Sequence, residues 1–257
     1  MRLNESCVIV TGASSGIGKA LVEHLLIQGA IVVGIDRDEP LIRSDHFTSI
    51  IADLSRQEEV RSSYAQAKAI LGRVDLYIAN AGQARYGYDT QMTETDTEIL
   101  WNLNVMAVVE ASRLMREDHG NQPYHVLAIS SAIAKLPLPG YAFYASTKAA
   151  VSAYIRGLRF ELPSNQRLHL VYPVATLTGF FNVSGQTHRS WFAQTPQHVA
   201  ESIVKGLQAN RLDIYPSFLF HSLITLFPFA LRLYQHREWL VLKQFSAQRS
   251  TRQVDGS

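Results

Sequence analysis

Short β-branched apolar runs alternate along the chain with longer stretches whose apolar residues recur every three or four positions. Cys7 to Val10, Ile31 to Ile35, Ser49 to Ala52, Val74 to Ala79, His125 to Ser130 and Leu168 to Tyr172 read as six strands. Residues 16–28, 57–71, 96–117 and 142–162 read as helices; Val60, Tyr64, Ala67 and Leu71 share one face of the second. Gly29 stops the first helix as a C-terminal cap, and Pro163 stops the last. The strands are nearly continuous apolar runs, as strands buried on both faces should be. Such alternation predicts a parallel sheet covered by helices on both sides. Right-handed crossovers make it a doubly wound, three-layer α/β/α Rossmann fold in a single domain. Residues 1–215 are expected to carry that unit, with nucleotide binding and catalysis. Residues 216–257 read as an apolar, mildly basic helical extension ending in a polar tail.

Composition narrows the function classes. Of 257 residues, 47% are hydrophobic and 18% charged, enough to build a large core and to exclude wholesale disorder. With 24 basic against 22 acidic residues, the net charge of +2 excludes a nucleic-acid partner held by counterion release. The charge is uneven: residues 1–210 are net −1 and residues 211–257 net +3. One cysteine, Cys7, allows no intrachain disulfide and suits a reducing compartment. The apolar run after the N-terminus ends at Thr11-Gly12, too soon for a signal-peptide core. A cytoplasmic protein is expected. The histidines show no metal-ligand spacing, so no metal is expected.

The first strand runs straight into Thr11-Gly12-Ala13-Ser14-Ser15-Gly16-Ile17-Gly18. Gly12 permits a sharp turn, Gly16 clears space for a pyrophosphate, and Gly18 lets the helix pack close to the sheet. The N–H groups and positive end of that helix then face the phosphates. Asp36 ends the second strand, 18 residues past Gly18, where a carboxylate that bonds the adenosine ribose is expected. Its charge would repel a 2′-phosphate and favours NAD over NADP; Arg37 beside it could greet that phosphate instead.

Tyr144 and Lys148 are i, i+4 on the 142–162 helix and share a face. An ammonium near a phenol stabilises phenolate and lowers its pKa, so that the tyrosine can exchange a proton with a substrate oxygen. Ser131, at the end of the fifth strand, can hydrogen-bond the same oxygen.

With these residues in place, the sequence resembles the short-chain dehydrogenase/reductase family over roughly residues 5–210. Thr11 to Gly18 matches the family's Thr-Gly-x-x-x-Gly-x-Gly motif, within which Ser14, Ser15 and Ile17 also face the cofactor. Asp53, followed by Leu54, matches the acid that contacts adenine. Asn80-Ala81-Gly82 matches its Asn-Ala-Gly motif, Asn104 its active-site asparagine, and Tyr144 to Lys148 its Tyr-x-x-x-Lys. Ser131, 13 residues before the tyrosine, matches the catalytic serine in preference to Ser130. After the sixth strand the family carries Pro-Gly and then a threonine. Here Pro173 is followed by Val174, with Thr176 and Thr178 beyond; valine lacks glycine's positive-φ options. Position 15 is serine rather than the basic residue of some NADP-preferring members. The resemblance implies hydride transfer between a nicotinamide cofactor, NAD for preference, and a substrate carbon. Tyr144 would be the acid/base. Lys148 would lower its pKa and bond the nicotinamide ribose, Ser131 would position the substrate oxygen, and Asn104 would hold a relay water. It also implies a homo-oligomer, a dimer or tetramer. An NADPH-dependent carbonyl reductase using Arg37, or a dinucleotide-sensing protein without catalysis, are the alternatives.

Phe180, Phe181, Trp191 and Phe192, with Tyr141 and Phe143 near the tyrosine, suggest a hydrophobic alcohol or ketone; packing against the sheet would account for them equally. In 217–234 apolar residues crowd a helical pattern that Pro228 would kink. Three roles are open to this segment: a cap on the substrate pocket or packing on the core, a subunit contact, or, through 217–245, a peripheral membrane contact helped by Arg232, Arg237 and Lys243.

Overall fold

The structure, a computed structural model, describes residues 1–176, 193–226 and 235–243. Seven parallel strands form one sheet: β1 (Cys7–Thr11), β2 (Ile31–Asp36), β3 (Phe47–Ile51), β4 (Leu76–Ala79), β5 (His125–Ile129), β6 (Arg167–Val171) and β7 (Asp213–Ile214). Their spatial order is β3-β2-β1-β4-β5-β6-β7, so the direction of winding reverses between β1 and β4. The helices are α1 (Gly16–Ile27), α2 (Gln57–Leu71), α3 (Glu94–Trp101), α4 (Ala107–His119), α5 (Ala142–Leu158), α6 (Pro196–Gln208), α7 (Phe218–Leu226) and α8 (235–243).

Alternation along the strands builds a core on each face. Ile9, Val33, Ile35, Tyr77, Val126, Ala128, Leu168 and Leu170 pack against α2, α4 and α5. Val8, Val10, Val32, Leu76, Ile78, Leu127, Ile129 and Val171 pack against α1 and α6. This is the doubly wound three-layer domain that the periodicity predicts.

Strand β7 and helix α6 add to the elements expected, and two of the expected helices differ. The helix expected over 96–117 is divided: α3 and α4 are joined by a π turn, Asn102–Met106, where Ala107 N donates to Asn102 O five residues back. α5 ends at Leu158, short of Pro163, where the chain tightens so that Phe160 N donates to Gly157 O and Glu161 N to Leu158 O, each at 3.0 Å; the Arg159 guanidinium then donates to Leu168 O at 2.9 Å and Leu212 O at 2.7 Å. Of the segment 217–234, the described part forms α7; Pro228 lies outside the described residues. The positive φ that Val174 lacks is not needed: among the described residues only Glu5 and Asn210 adopt it without being glycine. Pro173 O instead accepts from Ala132 N at 2.8 Å.

His125 opens β5 and His169 lies in the middle of β6, and their rings stack with planes 8° apart. His169 Nδ1 lies 2.7 Å from Arg211 O, which only accepts, so Nδ1 carries the proton. His169 Nε2 then accepts from His125 Nδ1–H at 2.9 Å. Burial, and for His125 also the facing ring, pushes both rings down to about 4. The unfolded chain therefore binds more protons than the folded one below about pH 6.5. The stability tied to this pair is complete above that value and is lost as pH falls towards 4. Urea unfolding should weaken over this range, with a slope of up to about 1.4 kcal/mol per pH unit for each proton taken up. A His125→Phe, His169→Leu double variant should flatten the slope between pH 6.5 and 5.

Candidate active site

In an open parallel sheet, ligands bind beyond the carboxyl ends of the strands, at the point where the winding reverses. Here that point lies between Thr11, closing β1, and Asn80, just past β4. Hydrogen bonds lock the two ends together. Thr11 Oγ1 accepts from Asn80 N at 2.9 Å and Ala81 N at 3.0 Å. Asn80 Nδ2 donates to Thr11 O at 2.9 Å and Gly12 O at 3.2 Å. Gly12 takes φ +67°, and a Cβ added to Gly18 would sit 1.8 Å from Gly12 O. Only glycine lets α1 start this close to the strand. Ile17 packs beneath on the α1 face of the core. Ser15 at the N-cap makes no side-chain cap, and the first turn of α1 holds no acidic residue. The helix start is thereby left to accept an anion. The turn fits a dinucleotide's phosphates.

Asp36 Oδ2 accepts from Ser14 N at 2.9 Å and Ser14 Oγ at 2.7 Å. The carboxylate thus ties β2 to the turn and keeps its remaining lone pairs beside the crevice. Arg37 is exposed and only loosely paired, its Nε 3.8 Å from Asp38 Oδ2. Burial pushes the Asp53 carboxyl up, but hydrogen bonds from Ser55 and the charges of Arg56 and Arg37 outweigh it, leaving it below its ordinary value. Leu54 is buried in the core. Thr176 is buried, with Oγ1 donating to Val174 O at 3.0 Å. Thr178, Phe180, Phe181, Trp191 and Phe192 lie outside the described residues.

From Asn80 the chain passes through Ala81 to Gly82, which fills the space between the phosphate turn and α5. A Cβ on Gly82 would stand 3.0 Å from Asn104 Oδ1 and 3.3 Å from Lys148 Nζ. Asn104 sits in the π turn, fully buried. Its Oδ1 accepts from Gln83 N at 2.9 Å, and its Nδ2 donates to Gln83 O at 2.9 Å and Thr147 Oγ1 at 3.1 Å. Both ends of the amide are therefore engaged in pinning the segment after β4 to α5. Its side chain acts here as a clamp, and a relay water would fall to its neighbours or its main chain.

Lys148 is buried, and its Nζ donates to Ile129 O at 2.9 Å. Its ammonium stands 5.9 Å from the centre of the Tyr144 ring. Burial pulls Lys148 down to about 8, so it is still charged at neutral pH. Ser131 hydrogen-bonds the Tyr144 phenol, and its Oγ accepts from Ile133 N at 3.3 Å. Burial pushes the phenol above its ordinary value; the Ser131 bond opposes this without overcoming it. The lowering that the spacing to Lys148 suggests is absent here, because desolvation dominates at this distance. Ser130, by contrast, is spent on α5: its Oγ donates to Lys148 O at 3.0 Å and lies 2.7 Å from Ser152 Oγ.

The structure thus gathers Ser131, Tyr144, Lys148, Asn104 and Gly82 at one place, joined through Asn80 to the glycine turn. Asp36 and Asp53 follow the ends of β2 and β3 on the other side. Reading the sequence alone passes over Thr147 and Gln83, the partners of Asn104; no periodicity marks them. Thr11 was legible only as the first letter of the glycine motif, although its hydroxyl is the joint between β1 and β4.

The short chain dehydrogenase family model matches residues 6–189. A 3-ketodihydrosphingosine reductase from Bacteroides thetaiotaomicron is 31% identical over 178 residues, 67% of this chain and 65% of that protein. The chain covers 66%, 65% and 56% of the length of three curated relatives it matches. A solved short-chain dehydrogenase/reductase from Burkholderia phymatum in complex with NAD superimposes with a TM-score of 0.78 at 18% identity, covering 91% of this chain and 97% of that one. A short-chain dehydrogenase from Sphingobium yanoikuyae in complex with NADPH gives 0.76 at 24% identity, covering 92% and 95%. These two share the fold. The family match spans most of the chain, from the glycine turn through the Tyr–Lys helix: the chain belongs to the short-chain dehydrogenase family.

Proposed function

We propose that this protein is an NAD(P)-dependent oxidoreductase that interconverts a hydrophobic secondary alcohol and its ketone. The observation that carries the reading is the buried Ser131–Tyr144–Lys148 group, linked through Gly82 and Asn80 to an uncapped helix start. A bound nicotinamide dinucleotide supplies the hydride donor or acceptor. Gly12 to Gly18 would hold its phosphates, Asp36 and Asp53 its adenosine end, and Lys148 the ribose beside Gly82. Pro173, Thr176 and Thr178 would line the loop near its carboxamide. Ser131 hydrogen-bonds the substrate oxygen. Tyr144, protonated at neutral pH, gives its proton to a carbonyl oxygen in reduction; in oxidation it must first lose that proton, and its phenolate then receives one from the alcohol. Lys148, charged below about pH 8, stabilises the phenolate left behind. Asn104 holds this geometry through Thr147.

The apolar character of the substrate is supported by the apolar cluster on which Tyr144 packs: Ala84, Tyr86, Ile133, Tyr141 and Ala145, with Leu138 beside it. The name of the Bacteroides relative, a ketone reductase acting on a lipid, agrees with it. NAD preference rests on the Asp36 charge. The fold accommodates both cofactors, since the Burkholderia phymatum protein holds NAD and that of Sphingobium yanoikuyae NADPH. An NADPH-dependent carbonyl reductase is the second reading, favoured by the loose pairing of Arg37 and by the protonated phenol.

The reading extends to the rest of the molecule. A single buried cysteine suits a cytoplasmic setting. The exposed small residues Ala142, Ser146, Ala149 and Ala153 along α5 support a homo-oligomer. The extension after residue 215 would be an accessory to the catalytic unit. Among the described residues no helix is long and apolar enough to cross a membrane. A peripheral contact is supported by α7, where Phe218, Leu219 and Leu226 are 81%, 57% and 66% exposed.

Tyr144→Phe should lower turnover of any accepted ketone by about 10²–10⁴-fold while leaving NADH binding within about twofold. Steady-state assay at the reduced-nicotinamide absorbance and fluorescence titration check this; undiminished turnover refutes the assignment. Asp36→Ala should shift the NADPH/NADH affinity ratio towards NADPH by about tenfold or more, about 1.4 kcal/mol. The full chain should co-sediment with vesicles containing anionic lipid, and a Phe218→Ser, Leu226→Ser variant should remain in the supernatant.

A further inference from the structure

Helix α8 lies far along the chain from the catalytic residues, yet it is fastened to the segment between them. Its first residue, Gln235, donates through Nε2 to Pro137 O at 2.7 Å. Near its end, Leu242 is buried, only 4% exposed, in the cluster formed by Ala84, Tyr86, Ile133, Tyr141 and Ala145. Tyr144, Leu138 and Tyr88 pack on the same cluster. Residues 133–141 are the stretch between Ser131 and Tyr144, so α8 spans the loop that carries both groups to the substrate oxygen.

The spacing within α8 fits this placement. Positions 235, 238 and 242 are i, i+3 and i+7 and share one face. Glu238 is largely covered, its side chain 15% exposed. It also acts on the Tyr86 phenol, which burial first and Glu238 next push up to about 12. Trp239 and Leu240 point outward at 38% and 46% exposure, and Lys243 Nζ stands 3.7 Å over the Trp239 ring. The inner face therefore meets the catalytic loop and the outer face does not.

Three aromatic rings continue from that inner face to the reacting group. Tyr86 lies 5.0 Å from Tyr141, and Tyr141 lies 6.0 Å from Tyr144, measured between ring centres. The approach of Tyr86 requires Gly140: a Cβ there would come within 2.4 Å of the Tyr86 ring. A packed cluster of this kind cannot yield without losing contacts, so it bounds the space on this side of Tyr144.

We infer that α8 forms a wall of the substrate pocket and that Leu242 is a specificity-determining residue, setting the largest apolar substituent that can reach Tyr144. This deepens the oxidoreductase reading and rests on it. The favoured substrates are ketones and alcohols whose apolar group lies flat against Tyr86, Tyr141 and Leu242. Leu242→Ala removes three carbons from the wall, and Leu242→Phe adds bulk to it.

The experiment measures kcat and KM for a series of ketones of increasing bulk on one side of the carbonyl, with wild type, Leu242→Ala, Leu242→Phe and Leu242→Met. The Ala variant should raise the ratio of kcat/KM for the bulkiest to the smallest ketone by about tenfold or more, chiefly through KM. The Phe variant should lower that ratio, and the Met variant should stay near wild type. Should the Ala variant fail to fold, the opposite shift in the Phe variant carries the test by itself. Unchanged ratios in folded variants that still reduce the smallest ketone overturn the inference and leave the oxidoreductase reading standing. A wild type that turns over no ketone or alcohol, while still binding NADH, overturns that reading and this inference together.

Discussion

The site depends on four residues that leave β4. Asn80 to Gln83 run across the reversal point of the sheet, bonded to the β1 turn at one end and to Asn104 at the other. Everything the chemistry needs in register hangs on this short span. Asn80 fixes where the glycine turn stands. Gly82 fixes how near Lys148 and Asn104 can come. Asn104, gripping Gln83 and Thr147 together, fixes the span against α5. The π turn matters for the same reason. It turns one residue of an otherwise continuous helix inward, so that an amide lies where an α-helical register would place it differently.

Burial sets the electrostatics of the group so assembled. Lys148 and Tyr144 are both pushed towards their neutral forms, the amine down and the phenol up. A phenol that keeps its proton at neutral pH is a donor in waiting, and an ammonium poised near 8 can answer the charge that develops when the proton leaves. The i, i+4 spacing by itself suggests an ammonium that acidifies its neighbour. Here the loss of water governs the phenol, and the ammonium stands 5.9 Å from the centre of its ring. The Ser131 hydrogen bond pulls the phenol the other way.

Buried polar side chains serve two different purposes on the sheet. At the carboxyl ends, buried polar groups surround the crevice and face chemistry. Further back along β5 and β6, the His125–His169 pair is stacked, and its hydrogen bonds link β5, β6 and the turn before β7. The same desolvation that pulls Lys148 down to about 8 makes these imidazoles a cost to folding in acid.

Much of the fold and site was legible before the tertiary structure. Apolar runs of strand length, helical periodicity and the turn glycines specify a doubly wound sheet, because local conformation and two-sided burial leave few other ways to satisfy such a pattern. The glycine turn, Asp36, Ser131 and the Tyr144–Lys148 face follow from residue type at a strand end or along one helix. What lay beyond reach depends on contacts between distant segments. The choice of Ser131 over Ser130 becomes physical only when Ser130 is found bonded to Ser152. The harmlessness of Val174 depends on a backbone φ that residue type does not reveal. The clamp on Asn104 joins residues 83, 104 and 147, and the seat of Leu242 joins the end of the chain to its catalytic loop. Sequence determined the elements and the chemistry they carry, since these arise from neighbours along the chain. Tertiary structure decided the pKa values and the shape of the pocket, since both come from what packs around a group and how much water it excludes.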